Sequence, residues 1–470
     1  MVHPTREIDN MDVSNLKHVY FIGIGGIGMS ALARYFNSLG IQVSGYDKTS
    51  TTLTEELQKE GIYIHFEDAL SLVPKMVDLV VYTPAIPKDH KGWNWIKEQG
   101  FPLMKRSEVL GLISRSKFCI AIAGTHGKTT TSTLSAHLLY HCGFDPSAFL
   151  GGIAVDYNSN FLSGNGEYVV LEADEFDRSF LHLEPNIAAI MSMDADHLDI
   201  YGHHEDMLTS FVAFAKKIKP NGTLILKEEL MVHFSEEDNK FLRKRNINVV
   251  SFGTETADLS VSNVEVEKGT FVFDLNFKNC HFKHLLTSLP GKHNVENASV
   301  AIAIALQLGG KEEDLRRALA TFSGIKRRFE FIHKGKKVVY IDDYAHHPTE
   351  LKAAIDGVRM LFPEKKITGI FQPHLYSRTR DFYDGFAEAL DLLDEVMLMD
   401  IYPARELPIE GVSSEMIFKK MNHENKRLVS KAGLMDQIPW DNLEVLVTLG
   451  AGDIDVFVPK IKEKLEKINQ

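Results

Sequence analysis

Short apolar runs alternate with helix-like patterns along most of this chain of 470 residues. The clearest runs are HVYFIG (18–23), VDLVVY (77–82), FCIAIA (118–123), YVVLE (168–172), IAAIM (187–191) and TLIL (223–226). Continuous apolar runs of this kind are typical of strands that are buried on both faces. Since helical patterns separate them, the sequence predicts an α/β protein built on parallel sheets.

The stretch from residue 248 to residue 282 follows a different pattern. Apolar and polar residues alternate in LSVSNVEVEKGTFVFDLNF, which predicts hairpin strands and an antiparallel extension of the central domain. Beyond it, the sequence predicts helices at 294–308 and 312–322, and strands near 338–341, 366–371, 395–399 and 444–449. The basic, glycine-containing segment GIKRR at 324–328 is a predicted hinge before a third α/β domain.

Two glycine-rich loops carry the first candidate chemistry. The first, GIGGIG at 23–28, follows a strand and precedes an apolar-periodic helix at 29–39. This spacing lets a backbone approach a diphosphate at a helix N-terminus, and Asp47 follows about where a ribose-binding acid would lie. The loop by itself leaves three interpretations open, namely NAD, a different nucleotide, or a tight turn.

The second loop, AGTHGKTT at 123–130, also follows a strand and begins a helix. It departs from the GxxxxGK[ST] pattern because Ile122 occupies the first glycine position. Backbone N–H groups and Lys128 would hold the β- and γ-phosphates of ATP, and the hydroxyl of Thr129 would bind Mg²⁺. The predicted ATP-binding residues of this loop are Gly124, Thr125, His126, Gly127, Lys128, Thr129 and Thr130.

Two acidic clusters follow strands in the same region. The segment LEADE at 171–175 ends a buried strand, and three carboxylates beside a phosphate loop need cations, so Glu172 is the favoured Mg²⁺ ligand. The segment DADHLD at 194–199 contains His197, for which we predict a role in binding a metal ion or a substrate carboxylate. A solvated acidic loop and a structural histidine are the respective alternatives.

Three later motifs supply further candidates. Asn294 and Asn297 are three residues apart at a helix start, so they share a face and could bind adenine or phosphate; simple N-capping is the alternative. In RRFE and DDYAHHP, Arg328 is predicted to reach the γ-phosphate of ATP and Asp343 its ribose. The cationic run FQPHLYSRTR at 371–380 suits capture of a carboxylate, with a solvated basic face as the alternative.

Composition excludes several classes of protein. Hydrophobic residues make up 44% of the chain and charged residues 25%, which is typical of globular proteins. The net charge of -12 argues against a general nucleic-acid binder, and the three cysteines form no CxxC pair. The N-terminus has no apolar signal segment and no run approaches the ~18 residues of a membrane span. We therefore expect a cytoplasmic protein without membrane or nucleic-acid partners.

Taken together, the motifs resemble those of one family, the Mur ligases. GIGGIGMS, GTHGKTTT, EADE, ADHLD, GKHNVENA, RRFE, DDYAHHP and FQPHLYSRTRDFYD occur in the order and spacing of that family over nearly the whole chain. Within it, they look most like the members that add L-alanine. The resemblance implies a Rossmann-like domain at 1–115, a central P-loop ATPase-type domain with a parallel sheet at 116–325, and a C-terminal Rossmann-like α/β domain at 326–470.

The resemblance also assigns a substrate to each domain. It implies that the N-terminal domain binds the UDP of UDP-N-acetylmuramate through Gly25, Gly26, Ile27, Gly28 and Asp47. The central domain binds ATP with Mg²⁺ or Mn²⁺, and the residues at the metal are Thr129, Glu172 and His197. The C-terminal domain receives L-alanine at His346, His374, Arg378 and Arg380. The residues expected to act in catalysis are Lys128, His197 and Arg328.

The implied activity is ATP-dependent amide formation in peptidoglycan precursor synthesis, through an acyl phosphate, by a monomer or homodimer. One departure from the family concerns Leu375, which replaces the first arginine of the usual PHRYTRTRD run. Three alternatives remain at this point: a Mur ligase that adds a whole peptide, an NAD-dependent dehydrogenase, and a nucleotide-binding protein that has lost catalysis.

Overall fold

The computed structural model describes residues 11, 13–83, 86–196, 198–404 and 406–468. Three β-sheets flanked by helices make up this part of the chain, in agreement with the predicted α/β class. The apolar runs of the sequence are the central strands of these sheets, where almost every side chain is buried.

The N-terminal sheet has five parallel strands in the order β3-β2-β1-β4-β5. Its strands are β1 (His18–Ile22), β2 (Gln42–Tyr46), β3 (Tyr63–His65), β4 (Leu79–Tyr82) and β5 (Leu103–Lys105). Its helices are α1 (Ile27–Ser38), α2 (Thr52–Lys59), α3 (Lys91–Gln99) and α4 (Arg106–Ser116). The strand order reverses at β1, and ligands of such sheets bind beyond the carboxyl ends of the strands at that point.

The central sheet has ten strands in the order β15-β14-β13-β12-β11-β10-β6-β9-β7-β8. The strands are β6 (Phe118–Ala123), β7 (Ser147–Ala154), β8 (Ser159–Leu162), β9 (Tyr168–Ala173), β10 (Ile187–Ile190), β11 (Thr223–Lys227), β12 (Asn248–Phe252), β13 (Leu259–Glu267), β14 (Thr270–Phe277) and β15 (Cys280–Thr287). The helices are α5 (Lys128–His141), α6 (Leu198–Tyr201), α7 (His204–Ala215), α8 (Glu236–Lys244), α9 (Lys292–Gln307) and α10 (Glu312–Thr321).

The predicted hairpin region begins later than expected. Strand β12 pairs in parallel with β11, so the stretch from residue 248 to residue 252 belongs to the parallel part of the sheet. The hairpin strands are β13, β14 and β15. Only Lys268 and Gly269 join β13 to β14, and both have positive φ angles, of 50° and 80°. This is the two-residue turn that matches the twist of antiparallel strands.

The C-terminal sheet has the order β16-β17-β21-β18-β19-β20, with β16 antiparallel to β17 and the other pairs parallel. Its strands are β16 (Glu330–Lys334), β17 (Val339–Asp343), β18 (Ile367–Phe371), β19 (Glu395–Met399), β20 (Lys426–Val429) and β21 (Val445–Leu449). Its helices are α11 (Pro348–Leu361), α12 (Tyr376–Leu390), α13 (Ser414–Lys420), α14 (Leu434–Gln437) and α15 (Val458–Ile468).

The three sheets are distributed over two compact units of the chain. The first is Met1–Ser260, Asn276–His281 and Asn297–Ala318, and the second is Val261–Leu275, Phe282–Glu296 and Leu319–Gln470. The first unit contains the whole N-terminal sheet and most of the central sheet, and one continuous apolar core serves both. The domain limits at residues 115 and 325 remain predictions.

An aromatic cluster joins α1 of the N-terminal sheet to the β7–β8 hairpin of the central sheet. The rings of Tyr35 and Phe149 have their centroids 5.3 Å apart, and those of Phe149 and Phe161 lie 5.2 Å apart. Tyr35 also contacts Phe161 edge-on at 6.1 Å. All three side chains are buried, so the contact between α1 and the hairpin is part of the hydrophobic core and excludes water.

A buried polar network lies beside the aromatic cluster. The Asn160 side chain, which is fully buried on β8, accepts a hydrogen bond from the guanidinium of Arg34 on α1. Its amide nitrogen donates to the backbone oxygen of Ile27 at 2.5 Å and to the hydroxyl of Ser30 at 2.9 Å. Arg34 is also paired with Glu60 at 2.7 Å. Asn160 therefore fixes the first turn of α1, directly after the glycine loop, to the central sheet.

Among the helices in the described part of the chain, none combines the length and the apolar character that crossing a membrane requires.

Candidate active site

The glycine loop connects β1 to α1 at the carboxyl end of the N-terminal sheet. Gly23 has φ of 84°, which a side chain would disfavour, and its N–H donates to the backbone oxygen of Tyr46 at 2.8 Å. The carboxylate of Asp47 accepts the N–H of Gly25 at 2.7 Å. Asp47 thus lies beside the loop, as its spacing predicts, and it holds the loop in shape.

The phosphate loop connects β6 to α5. Gly124 has φ of 136°, and a Cβ there would lie 2.8 Å from the backbone nitrogen of Ser192. Gly127 has φ of 81° and forms the N-cap of α5, where a Cβ would lie 2.7 Å from Asn297 Oδ1. Both positions therefore require glycine. The N-terminal N–H groups of α5 and its dipole favour an anion at this end, as binding of a phosphate requires.

The ammonium of Lys128 is enclosed by oxygen atoms. Its Nζ lies 2.7 Å from Glu175 Oε2 and donates to the backbone oxygen of Gly124 at 2.5 Å. Burial lowers the pKa of Lys128, but the carboxylates of Glu175, Glu172 and Asp174 together raise it above its usual value. The lysine is therefore a cation. The Glu175 side chain is only 1% exposed, so the pair is buried.

The three carboxylates at the carboxyl end of β9 have different partners. Glu175 pairs with Lys128, and Asp174 pairs with the guanidinium of Arg106 at 3.1 Å. Glu172 accepts the N–H of Gly151 at 3.0 Å. A pocket of about 120 Å³ lies at this point, and its lining includes Gly28, Arg106, Phe149, Gly151, Glu172 and Asp174.

The other residues that are predicted to bind ATP make contacts in and around the phosphate loop. His126 lies 3.2 Å from the carboxylate of Asp194, and Thr125 Oγ1 donates to the backbone oxygen of the same residue at 3.1 Å. Asn297 accepts a hydrogen bond from Thr131 Oγ1 at 3.1 Å, beside the phosphate loop. Thr129 is buried in the first turn of α5, and Thr130 follows it. His197 lies outside the described residues.

Asn294 is not the N-cap of its helix. Helix α9 begins at Lys292, so Asn294 lies within its first turn, and its amide donates to the backbone oxygen of Pro290 at 2.6 Å. The N-capping interpretation of the sequence is therefore wrong for this residue. The side chain closes the turn that precedes the helix.

Several predicted residues of the C-terminal domain lie at the carboxyl edge of its sheet. The guanidinium of Arg328 lies over the ring of Tyr344 at 5.1 Å and 3.9 Å from the carboxylate of Glu350. The backbone N–H of His346 donates to Glu350 at 3.0 Å. The rings of His346 and His374 meet edge to face with centroids 6.0 Å apart. The two histidines predicted to receive the amino acid are thus neighbours.

The two arginines of the SRTRD run diverge. Arg378 is buried at 6% exposure on α12, whereas the Arg380 side chain is 53% exposed and lies 2.7 Å from Asp381. Leu375 is buried and has φ of 70°, a strained value for a leucine. It supplies no cap to α12; instead Glu406 accepts the N–H of Ser377 at 3.0 Å.

Asp343 holds the chain just after the predicted hinge. Its two carboxylate oxygens accept the N–H groups of Phe329 and Ala345, each at 2.7 Å. Both Arg327 and Phe329 have positive φ angles, so this segment needs such support. Burial raises the pKa of Asp343 to about 6, against the opposing effects of Arg328 and the two backbone N–H groups.

This raised pKa predicts a pH effect on stability. The folded protein binds the proton of Asp343 more tightly than an unfolded chain does, so its contribution is fully present below the unfolded pKa of about 3.9 and is lost as pH rises through about 6. Between pH 7.5 and pH 5, the wild type should gain about 1 kcal/mol over Asp343→Asn, which has no such proton. Thermal unfolding of both proteins at the two pH values measures this, and a constant difference would contradict it.

Comparison with known proteins shows which protein family this chain belongs to. Three sequence-family profiles match consecutive parts of the chain: "Mur ligase family, catalytic domain" at residues 18–118, "Mur ligase middle domain" at 122–305 and "Mur ligase, glutamate ligase domain" at 327–447. A UDP-N-acetylmuramate--L-alanine ligase of Flavobacterium johnsoniae is 48% identical over 461 residues, which cover 97% of this chain and 100% of the relative. The chain belongs to the Mur ligase family.

Solved structures of Mur ligases have the same fold. The UDP-N-acetylmuramate-alanine ligase of Thermotoga maritima superposes with a TM-score of 0.80 at 29% identity, covering 97% of this chain and 100% of that one. A murein peptide ligase of Psychrobacter arcticus gives 0.67 at 24% identity, covering 96% and 98%, and shows the fold alone. The predicted three-domain α/β class is confirmed, and the family favours the ligase over the dehydrogenase interpretation of the glycine loop.

One charged residue of this Mur ligase's pocket is absent from the sequence predictions. Arg106 begins α4, far along the chain from the glycine loop and from Asp174, the acid after β9 with which it pairs. In the sequence it belongs to a Lys-Arg pair before an apolar helical pattern, which resembles an ordinary solvated helix start. The only local signal is that Arg106 is the one arginine at the start of a helix whose next residues are mostly apolar or small, SEVLGLIS at 107–114.

Proposed function

We propose that this Mur ligase joins L-alanine to the lactyl carboxylate of UDP-N-acetylmuramate, driven by cleavage of ATP to ADP and phosphate. The observation that carries the proposal is the meeting of two nucleotide-type loops at the end of β9. Glu172 lines a pocket with Gly28 of the glycine loop, and the same acidic segment holds Lys128 of the phosphate loop through Glu175. A UDP-linked carboxylate and an ATP γ-phosphate can thus react at one place.

The proposed reaction has two steps. A carboxylate oxygen of the UDP-sugar attacks the γ-phosphorus, the bond to the β-phosphate oxygen breaks, and an acyl phosphate and ADP form. The amine of L-alanine then attacks the acyl carbon, the bond from that carbon to the phosphate oxygen breaks, and phosphate leaves with the bonding electrons. The nitrogen gives up one proton to solvent or to the departing phosphate as the amide forms. Most of the protein's contribution to such phosphoryl transfer is positioning and neutralisation of charge. Lys128 fits this role because it is cationic and lies at the N-terminus of α5.

We assign the metal-binding role in this reaction to Glu172 and Thr129, with His197 as a further predicted ligand. Glu172 fits because Asp174 and Glu175 are already paired with cations, whereas Glu172 accepts a backbone N–H and faces the pocket. Mg²⁺ commonly binds proteins through one or two carboxylates together with substrate phosphates. When bound, Mg²⁺ supplies positive charge to the β- and γ-phosphates.

For the C-terminal sheet, we propose that His346, His374 and Arg378 receive L-alanine. The paired histidine rings support this assignment, and a guanidinium such as that of Arg378 has the two parallel N–H donors that suit a carboxylate. Arg328 is assigned to the γ-phosphate and Asp343 to the ribose. Arg380 stays a weaker candidate, since it is exposed and paired with Asp381.

The test is release of phosphate from ATP by the purified protein. Release should require UDP-N-acetylmuramate and L-alanine together, and it should stop when divalent metal ions are chelated. Glycine, L-serine and a peptide that begins with L-alanine are the competing acceptors. If the peptide supported faster phosphate release than L-alanine, the peptide would be the substrate instead. If phosphate release did not depend on the UDP-sugar, the proposal as a whole would be contradicted.

A further inference from the structure

Arg106 places a cation in the wall of the pocket between the glycine loop and β9. It is the first residue of α4, and its guanidinium lies 3.1 Å from the carboxylate of Asp174. A Cβ on Gly28 would lie only 2.2 Å from Arg106 Nη1, so the guanidinium rests directly on the first turn of α1. The absence of a side chain at Gly28 is what lets Arg106 occupy this position.

The charged side chains around the pocket differ in how strongly they are paired. Glu175 forms an ion pair with Lys128 and does not line the pocket, whereas Glu172 and Asp174 do. Among the described lining residues, Arg106 is the one cation. Both members of its ion pair are partly exposed, at 27% for Arg106 and 35% for Asp174. A pair of this kind is weak, so Asp174 can share the guanidinium with an incoming anion.

The rest of the wall is apolar. Ile27, Ala31, Leu110, Phe149 and Leu150 line the pocket with Arg106 and the acids. A volume of about 120 Å³ holds a group of a few heavy atoms and is too small for a nucleoside diphosphate. The complementary ligand is thus a small anionic group with an apolar branch, such as a carboxylate that carries a methyl group.

We propose that Arg106 binds the lactyl carboxylate of the UDP-sugar and holds it beside Glu172 for phosphorylation. This rests on the proposed function, which supplies a substrate with a methyl-bearing carboxylate next to its sugar ring. The planar guanidinium offers two parallel N–H donors to a carboxylate, which fixes orientation as well as position. The methyl group packs on the apolar wall, and the diphosphate lies outside the pocket, at the glycine loop.

The test compares UDP-N-acetylmuramate with its methyl ester, which keeps the nucleotide, diphosphate and sugar but has no carboxylate charge. Their dissociation constants are measured without ATP by calorimetry, or by competition where binding is weak. The wild type should bind the acid about 10- to 100-fold more tightly than the ester, the range for a hydrogen bond to a charged group. Arg106→Gln should bind the two ligands within about twofold, and Arg106→Lys should fall between.

Lys105→Gln is the matched control, because Lys105 is adjacent, 41% exposed and paired with Asp177 at 3.8 Å rather than facing the pocket. It should keep the wild-type preference for the acid. If Arg106→Gln weakened acid and ester equally, the guanidinium would serve the diphosphate or the fold, and the assignment would be overturned. If the wild type bound neither ligand, the proposed function itself would fail, and this inference with it.

Discussion

Replacing Lys128 by methionine should lower kcat/KM for ATP by at least about 10³-fold. The lysine is the cation of the phosphate loop, and loss of one charge that stabilises a transferring phosphoryl group has effects of this size. The same change leaves Glu175 buried without its cation, which costs about 3–5 kcal/mol of folding stability. Phosphate release and thermal unfolding measure the two effects separately.

A second variant separates loss of chemistry from loss of structure. In Lys128→Met/Glu175→Gln the orphaned carboxylate becomes a neutral amide, so most of the lost stability should return. Activity should not return, because the phosphates still have no lysine. Recovery of activity with stability would mean that Lys128 is only a structural partner of Glu175. Glu175→Gln alone should keep measurable activity.

Asn160→Ala should lower the stability of the first unit by about 3 kcal/mol. The change removes three hydrogen bonds inside a fully buried site and leaves the Arg34 guanidinium with an unmet donor. Because Asn160 fixes the first turn of α1, KM for UDP-N-acetylmuramate should rise while KM for ATP stays near its wild-type value. Calorimetric unfolding and steady-state kinetics are the measurements.

Asn165→Ala is the control for that variant, since Asn165 is an exposed asparagine in the same part of the chain. It should change stability by no more than about 0.5 kcal/mol. Equal effects of the two substitutions, or a loss confined to ATP affinity, would show that Asn160 does not support the glycine loop.

The phosphate loop could be predicted because its chemistry is local in sequence. Gly124, Gly127 and Lys128 lie within five residues of one another, and a strand before and a helix after them are enough to orient their backbone N–H groups. The glycine loop and Asp47 are similar, since one βαβ unit carries both. The apolar runs also predicted the parallel strands, because burial on both faces leaves no other pattern.

The β7–β8 hairpin and Arg106 were beyond prediction for the opposite reason. Strand β7 contains Gly151 and Gly152, and β8 follows Asn158, so both resemble loop sequence. Their strand character comes from pairing with β9 and with each other, which are contacts made elsewhere in the chain. The role of Arg106 likewise depends on Gly28 and Asp174, each far from it in sequence.

The C-terminal domain shows a third kind of limit. The resemblance groups His346 and His374 in one predicted amino-acid site, and their ring centroids lie 6.0 Å apart in the structure, although their role stays a prediction. The spacing of the motifs could not show that both carboxylate oxygens of Asp343 accept hydrogen bonds from backbone N–H groups. It also could not show that Arg380 forms an ion pair with Asp381. These outcomes depend on the exact turn at 327–329 and on side-chain rotamers, which no periodic pattern encodes.

The shared aromatic cluster of Tyr35, Phe149 and Phe161 has a consequence for synthesis on the ribosome. The N-terminal sheet is complete when residue 105 has left the exit tunnel, yet one face of α1 still has no cover. That face, with the Arg34 guanidinium beside it, stays open to solvent until residues 149–161 emerge and the β7–β8 hairpin forms. The nascent chain therefore exposes an apolar face of α1 while more than forty further residues are synthesised. We expect the N-terminal sheet and the central sheet to become stable together.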